Sequence, residues 1–153
     1  MKKTVRSLID SKKPFIGTFM QFPSVELTEM FAYTGFDFLI MDMEHGLIDH
    51  KDVLEMVRAC ELHDTAAMIR VPNVDEEKIK KALDMGASGI LVAGVHSYED
   101  AVNAVKFAKF KPMGGHGTGI GGSRTDGCSD CAGGNSQCEK NSERSWKTLC
   151  FLF

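Results

Sequence analysis

Three short segments combine residues that could transfer protons or bind an anion. They are 42–46 (DMEHG), 70–72 (RVP) and 93–96 (AGVH), and each directly follows or ends a stretch of apolar residues. His45 could act as a general base, because an imidazole can gain or lose a proton near neutral pH. A loop histidine hydrogen-bonded to nearby backbone is the other interpretation.

Four charged residues could act together with His45. Asp42 and Glu44 alternate with Met43, so an extended backbone would place both carboxylates on one face, where they could hold a metal, orient the imidazole or face solvent. Arg70 ends an apolar run, and an arginine in such a place needs an anionic partner. That partner could be a keto-acid carboxylate, an enolate oxygen, or Asp42 or Glu44 in a structural ion pair. Asp84 lies near a predicted helix C-terminus, where an acid is mildly unfavourable, so it either faces solvent or has a partner such as a histidine.

Two motifs in the last third of the chain carry less weight. Residues 117–122 (GTGIGG) match a G-x-G-x-x-G string, but no strand precedes it and no helical pattern follows, so a nucleotide site is not expected. Cys128, Cys131 and Cys138, with His116, could bind zinc, although their spacing is irregular.

The elements that must position these residues alternate between strand and helix. The sequence predicts strands at residues 15–20, 36–42, 66–71 and 89–93, helices at about 24–34, 49–62, 73–86 and 97–108, and the start of a fifth strand at 148–153. This alternation predicts a parallel sheet with helices outside, either an open doubly wound sheet or a barrel. A complete barrel needs eight units and about 250 residues, so four to five units would be part of one. Residues 113–147 are predicted to be an irregular loop or tail within a single domain spanning 1–153.

Composition excludes several classes of function. The chain has 153 residues, a net charge of -3, 43% hydrophobic and 25% charged residues, which predicts a soluble globular protein. It has no run of basic residues for nucleic acid and no apolar stretch long enough for a membrane. The basic N-terminus is not followed by an apolar segment, so a cytoplasmic location is expected. Five cysteines argue against a disulfide framework, and Cys60 is predicted to lie in the core.

Six segments, in order, resemble the HpcH/HpaI aldolase family of class II, metal-dependent pyruvate aldolases. They are 17–24 (GTFMQFPS), 32–38 (AYTGFDF), 42–46 (DMEHG), 69–72 (IRVP), 81–87 (KALDMGA) and 119–124 (GIGGSR). The resemblance covers about residues 15–127. It implies part of a TIM (β/α)8 barrel, a divalent metal (Mg²⁺, Mn²⁺ or Co²⁺), a homo-oligomer, and retro-aldol cleavage of a 4-hydroxy-2-keto or 2-keto-3-deoxy acid to pyruvate and an aldehyde.

The resemblance also implies roles for individual residues. His45 would be the proton acceptor, Asp84 the acid that raises its basicity, and Arg70 the cation that stabilises charge on the pyruvate oxygen. The family's metal ligands follow strands five and six, beyond Phe153, so we expect no complete metal site here. We therefore expect the chain to be a truncated or frame-shifted gene product or a fragment. Because part of a barrel leaves sheet edges open, we also expect it to aggregate or to be stable only as an oligomer. A non-catalytic remnant and a small cysteine-rich metal-binding module are the alternatives.

Overall fold

Five parallel strands form one sheet in the computed structural model, which describes residues 3–109, 114–115 and 149–152, the last for backbone only. The strands are β1 (Gly17–Met20), β2 (Phe38–Asp42), β3 (Ala66–Val71), β4 (Gly89–Val92) and β5 (Leu149–Leu152). The helices are α1 (Val5–Asp10), α2 (Val25–Tyr33), α3 (His50–Leu62), α4 (Glu76–Asp84) and α5 (Tyr98–Ala108).

The strand order decides between the two predicted architectures. The order is β1-β2-β3-β4-β5, so each crossover places the next strand beside the previous one without a reversal. A doubly wound sheet reverses its order at a switch point, whereas a barrel adds strands in sequence. The sheet is therefore a partial (β/α) barrel, as predicted.

The two faces of the sheet have different coverings. Alternate strand residues such as Leu39, Met41 and Ile69 are fully buried against the helices, in one core with Val53 of α3 and Ile79 of α4. The other residues of the same strands line the concave inner face, which corresponds to a barrel interior. The inner-face residues Phe38, Ile40, Met68 and Leu91 are apolar as well. The strands are therefore almost continuous apolar runs, as in a parallel sheet covered on both faces.

Helix α1 was not predicted and covers part of that concave face. Val5 and Leu8 pack with Ile40, Ala66 and Met68 in a second, smaller core. Thr4 and Ser7 form a reciprocal capping box at its start. The Thr-x-x-Ser capping pattern is a local signal for the start of this helix, but its six residues are too few to show a clear helical period.

Most other sequence predictions are confirmed. All five predicted strands are present, and the predicted helices correspond to α2–α5 with ends that differ by at most three residues. Ser24 and Ser97, the first residues of two predicted helices, are the N-caps of α2 and α5, and Cys60 is fully buried as predicted. No helix in the described part of the chain is long and apolar enough to cross a membrane. The predicted irregular segment 113–147, the G-x-G-x-x-G string and the tail cysteines other than Cys150 lie outside the described residues, apart from Gly114 and Gly115.

Candidate active site

A buried ion pair joins the ends of β2 and β3. Asp42 and Arg70 are register partners, so the parallel sheet itself places their side chains side by side. Arg70 donates from Nε to Asp42 Oδ1 at 2.8 Å and from Nη2 to Oδ2 at 2.5 Å. Asp42 is fully buried and the Arg70 side chain is 17% exposed. Of the two carboxylates predicted as possible ion-pair partners of Arg70, Asp42 forms the bidentate pair, a geometry that fixes the guanidinium plane.

Asp42 also organises the loop that carries His45. Its Oδ1 accepts hydrogen bonds from the backbone N–H of Glu44 at 3.0 Å and of His45 at 3.1 Å. Its Oδ2 accepts one from Gln21 Nε2 at 3.2 Å, at the end of β1. The Asp42 carboxylate thus links the ends of three strands and holds the backbone of the loop after β2, which carries His45.

This hydrogen bonding controls the ionisation of the pair. Burial opposes ionisation of the Asp42 carboxyl, but hydrogen bonds from Arg70, the His45 and Glu44 backbone and Gln21 hold its pKa well below the usual range. The hydrogen bond to Asp42 raises the pKa of Arg70, against the effect of burial. The pair is fully charged at neutral pH.

A close backbone approach explains the glycine after His45. Gly46 N–H donates to the Asp42 carbonyl at 3.1 Å, and a Cβ on Gly46 would lie 2.3 Å from that oxygen and 3.0 Å from the Gln21 carbonyl oxygen. Both obstructing atoms belong to backbone, which cannot rotate away as a flexible side chain can. The tight turn that presents His45 therefore requires glycine.

Glu44 and His45 extend the charged cluster outward from the ion pair. Glu44 Oε2 lies 3.2 Å from Arg70 Nε, and Glu44 Oε1 lies 3.7 Å from His45 Nε2. The His45 side chain is 67% exposed, whereas that of Glu44 is 24% exposed. The structure therefore brings four of the five predicted site residues together at the C-terminal edge of the sheet, where barrel enzymes place their chemistry.

A cavity lies directly beside this cluster. Its volume is about 700 Å³, within the range of small-molecule sites. Most of the residues that line the cavity are apolar side chains of the concave face, among them Phe38, Ile40, Met68 and Leu91. Glu44, His45 and Arg70 provide charged and polar groups along one side. A ligand with an apolar body and an anionic or carbonyl group would match this lining.

The residues of this site lie within a segment that matches a known protein family. Residues 16–145 match the HpcH/HpaI aldolase/citrate lyase family. The chain belongs to this family.

Individual relatives agree with this assignment. The chain is 34% identical over 102 residues to 2-dehydro-3,6-dideoxy-6-sulfogluconate aldolase of Pseudomonas putida, an alignment that covers 67% of this chain and 40% of that protein. It is 32% identical over 114 residues to hydroxypyruvate/pyruvate aldolase of Agrobacterium fabrum, covering 74% of this chain and 43% of that protein. The chain therefore spans less than half the length of these two relatives.

A solved family structure shows the same fold. The HpcH/HpaI aldolase of Desulfitobacterium hafniense DCB-2 superimposes with a TM-score of 0.82 at 24% identity, covering 98% of this chain and 56% of that one. The likeness supports the partial barrel deduced from the strand order.

Asp84, the third residue singled out by the resemblance to the HpcH/HpaI family, is placed elsewhere. It is the last residue of α4, and the chain returns from there to the start of β4, with Ser88 N–H donating to the Ala67 carbonyl near the start of β3. His45 follows the opposite, C-terminal end of β2. Within one chain the structure does not bring Asp84 to His45, so its role in raising the basicity of His45 stays a prediction.

The described residues do not fit the divalent metal expected for an HpcH/HpaI aldolase. They contain no group of three or more His, Cys, Asp or Glu side chains that could hold a metal ion. Asp42 is already occupied by five hydrogen bonds from Arg70, Gln21 and two backbone groups. Glu44 is turned toward Arg70 and His45. Asp42 and Glu44 thus serve the ion pair and its loop.

Two contributors to the site were missed from the sequence. Gln21 bonds Asp42, and the Phe19 ring lies 4.9 Å from the guanidinium carbon of Arg70, close enough for a cation–π contact. Both lie at the C-terminal end of β1. Because barrel enzymes carry their active residues at the C-terminal ends of strands, the position of Gln21 directly after the predicted strand 15–20 is the signal that indicates it.

Proposed function

We propose that this chain provides the keto-acid-binding and proton-transfer part of a pyruvate aldolase. The reaction is reversible cleavage of a 4-hydroxy-2-keto acid to pyruvate and an aldehyde. Membership of the HpcH/HpaI family and the names of the two relatives support an aldolase. The substrate class rests on the chemistry of the site.

One observation carries the proposal: a fixed guanidinium and an exposed imidazole share the edge of one cavity. Arg70 is held by Asp42 through Nε and Nη2, and its Nη1 has no protein partner among the described residues. Such a preorganised cation suits an oxygen that gains negative charge during a reaction. His45 stands beside it on a loop anchored to the same carboxylate.

These two residues account for the proton and electron movements of retro-aldol cleavage. His45, directly or through a water molecule, takes the proton of the C4 hydroxyl group. The C4–O bond becomes a carbonyl, the C3–C4 bond breaks, and its electron pair forms the pyruvate enolate with charge on the C2 oxygen. Arg70 stabilises that charge, and protonation of C3 then yields pyruvate.

The divalent metal remains an expectation from the family resemblance. A catalytically silent member of the family is the alternative. The observation in its favour is that the described residues contain no group of three His, Cys, Asp or Glu side chains that could hold a metal ion. The cysteine-rich metal-binding module rests on Cys128, Cys131 and Cys138, which lie outside the described residues.

Release of pyruvate from a 4-hydroxy-2-keto acid by the purified full chain tests the proposal. The assay is run with and without Mn²⁺, and pyruvate is measured by a coupled lactate dehydrogenase reaction. We expect His45→Gln to lower the rate on the order of 10²–10⁴-fold, the usual contribution of a general base. Arg70→Lys, which loses the bidentate geometry, should lower it on the order of 10²-fold.

Matched controls come from exposed residues of the same types on α3. His50→Gln and Arg58→Lys should leave the rate within about twofold, because both side chains lie on an exposed helix surface. Circular dichroism confirms that each variant is folded. A folded wild-type chain that releases no pyruvate above the background rate under either metal condition would favour the catalytically silent member.

A further inference from the structure

Both edges of the sheet are open in the described part of the chain. There, β1 and β5 each pair with only one neighbouring strand, so their outer backbone N–H and C=O groups are available to another strand. The concave inner face is also apolar, as it is in a parallel sheet that is covered on both sides. One sheet of five strands is too small to close on itself, because a (β/α) barrel has eight.

An apolar groove borders the β1 edge. It has a volume of about 490 Å³ and lies between the end of β1, with Phe19 and Met20, and α2, with Leu27 and Phe31. Leu27 and Phe31 are one helical turn apart, so α2 turns one apolar flank toward the groove. Phe22, in the loop between β1 and α2, also lines it and is 63% exposed. Contiguous exposed apolar side chains of this kind mark a contact surface.

Helix α5, beside the opposite edge, carries a matching stripe. Tyr98, Val102 and Val105 are exposed and follow one another at intervals of four and three residues, so they form one row along the helix. Ala104 is buried beneath α5, and Phe107, on the other side of Ala104 from the row, packs against the core shared with α4. The row, here called the α5 stripe, therefore faces away from α4.

We propose that a second copy of this chain covers these surfaces, and that two copies close one parallel barrel. The α5 stripe of each copy binds in the groove beside β1 of the other. Because the strands follow the order β1 to β5, placing β5 of one copy beside β1 of the next continues the same pattern of parallel strand and outer helix. A twofold rotation joins both pairs of edges at once and leaves no edge open.

The second copy also completes the wall of the candidate site. Arg70 and Gln21 line the groove, so the bound α5 stripe excludes water from this side of the guanidinium, where charge interactions then become stronger. A barrel made of two five-stranded copies is wider than one of eight strands, whose interior is just filled by side chains. A cavity therefore persists beside each Arg70. The proposal rests on the open edges and does not depend on the aldolase reaction.

Sedimentation equilibrium of the full chain tests the proposal. We expect a particle with twice the mass of one chain. Val105→Glu places a charge in the apolar contact and should weaken association on the order of 100-fold. Leu62→Glu is the matched control and should leave the mass unchanged, because Leu62 is 76% exposed at the end of α3, which lies between the two edges.

Disulfide cross-linking identifies the contact without a variant that disrupts it. In a background with Cys128, Cys131, Cys138 and Cys150 changed to serine, a chain with Phe22→Cys is co-expressed with a chain with Tyr98→Cys. Phe22 follows the end of β1 and Tyr98 begins α5, so both lie at the C-terminal end of the strands. Mild oxidation should join the two chains. A chain with Leu62→Cys in place of Tyr98→Cys should not be joined.

A chain that carries both Phe22→Cys and Tyr98→Cys distinguishes a closed pair from an open series of copies. The closed pair gives covalent dimers alone, whereas an open series gives a ladder of larger products. A monomeric wild-type chain, a ladder, or equal cross-linking to Leu62→Cys would overturn the proposal.

Discussion

Asp42 and Arg70 face each other across the ends of β2 and β3 in a buried, bidentate ion pair. The pair is the structural centre of the candidate site, because the Asp42 carboxylate also holds the loop that presents Glu44 and His45 and the side chain of Gln21. Stability and site geometry therefore depend on the same few hydrogen bonds.

Replacement of Asp42 by Asn should destabilise the fold strongly. The change leaves the Arg70 charge without its buried partner, and removal of one member of a buried pair costs about 3–5 kcal/mol, with the lower end expected because Glu44 stays nearby. Arg6 and Asp10 on α1 form a matched exposed pair, 3.8 Å apart. Asp10→Asn should cost less than about 1 kcal/mol. Urea unfolding of both variants measures the difference, and equal losses would contradict the special place of Asp42.

Low pH should reduce the difference in the free energy of unfolding between the wild-type chain and Asp42→Asn. Arg70 and the other hydrogen-bond donors overcome the effect of burial and depress the pKa of Asp42 in the folded state. The unfolded chain then binds a proton at this carboxyl at higher pH than the folded chain. The stabilisation is fully present above the unfolded value of about 4 and falls as the pH drops below it.

Urea midpoints at several pH values between 3 and 7 check this. The pKa of Asp37, Asp49 and Asp100 is also lowered, so the wild-type chain and the variant will both lose stability in acid. The informative quantity is the difference in urea midpoint between the wild-type chain and Asp42→Asn. This difference should stay constant from pH 7 to about 5 and become smaller below about 4. A difference that is the same at pH 3 and pH 7 would mean that Asp42 does not ionise as described.

The fold was predictable because its signals are local. The apolar runs that became β2 and β3, and the caps Ser24, Asp75 and Ser97, are readable within a few residues. Helix α1 was missed because its six residues are too few for a clear helical period, and its stability comes from contacts with distant strand residues such as Ile40 and Met68.

The site was predictable only in part because its contacts cross strands. That Asp42, Glu44, His45 and Arg70 lie at one edge follows from the position of each after a strand. Which carboxylate pairs with Arg70 depends on the register Asp42↔Arg70, which no local pattern reveals. Asp84 was grouped with His45 by family resemblance, but the direction of α4 places it toward the other edge.

Substitution of Gly46 by alanine should damage both the loop and its function. The new Cβ would meet the Asp42 and Gln21 carbonyl oxygens at 2.3 and 3.0 Å, so the backbone must move. We expect a loss of about 1–3 kcal/mol of stability. Because the same turn presents His45, the rate of pyruvate release should fall as well.

Gly115→Ala is a matched control for Gly46→Ala. A Cβ there would lie 3.8 Å from its nearest neighbour, the Lys106 carbonyl oxygen, which is an ordinary contact distance. Its urea midpoint and pyruvate release should match those of the wild-type chain. Equal destabilisation by both changes would show that loss of a glycine, rather than the close approach to Asp42, is responsible.

Cys60 should be unreactive in the folded chain. Its side chain is fully buried in α3, and burial raises the pKa of the thiol to about 12. The thiolate is the nucleophile, so both its scarcity and its inaccessibility oppose alkylation. In a variant with Cys128, Cys131, Cys138 and Cys150 changed to serine, iodoacetamide at pH 8 should label Cys60 on the order of 100-fold more slowly in buffer than in concentrated urea. A further Cys60→Ala change supplies the blank, and rapid labelling without urea would show that the core beneath α3 opens readily.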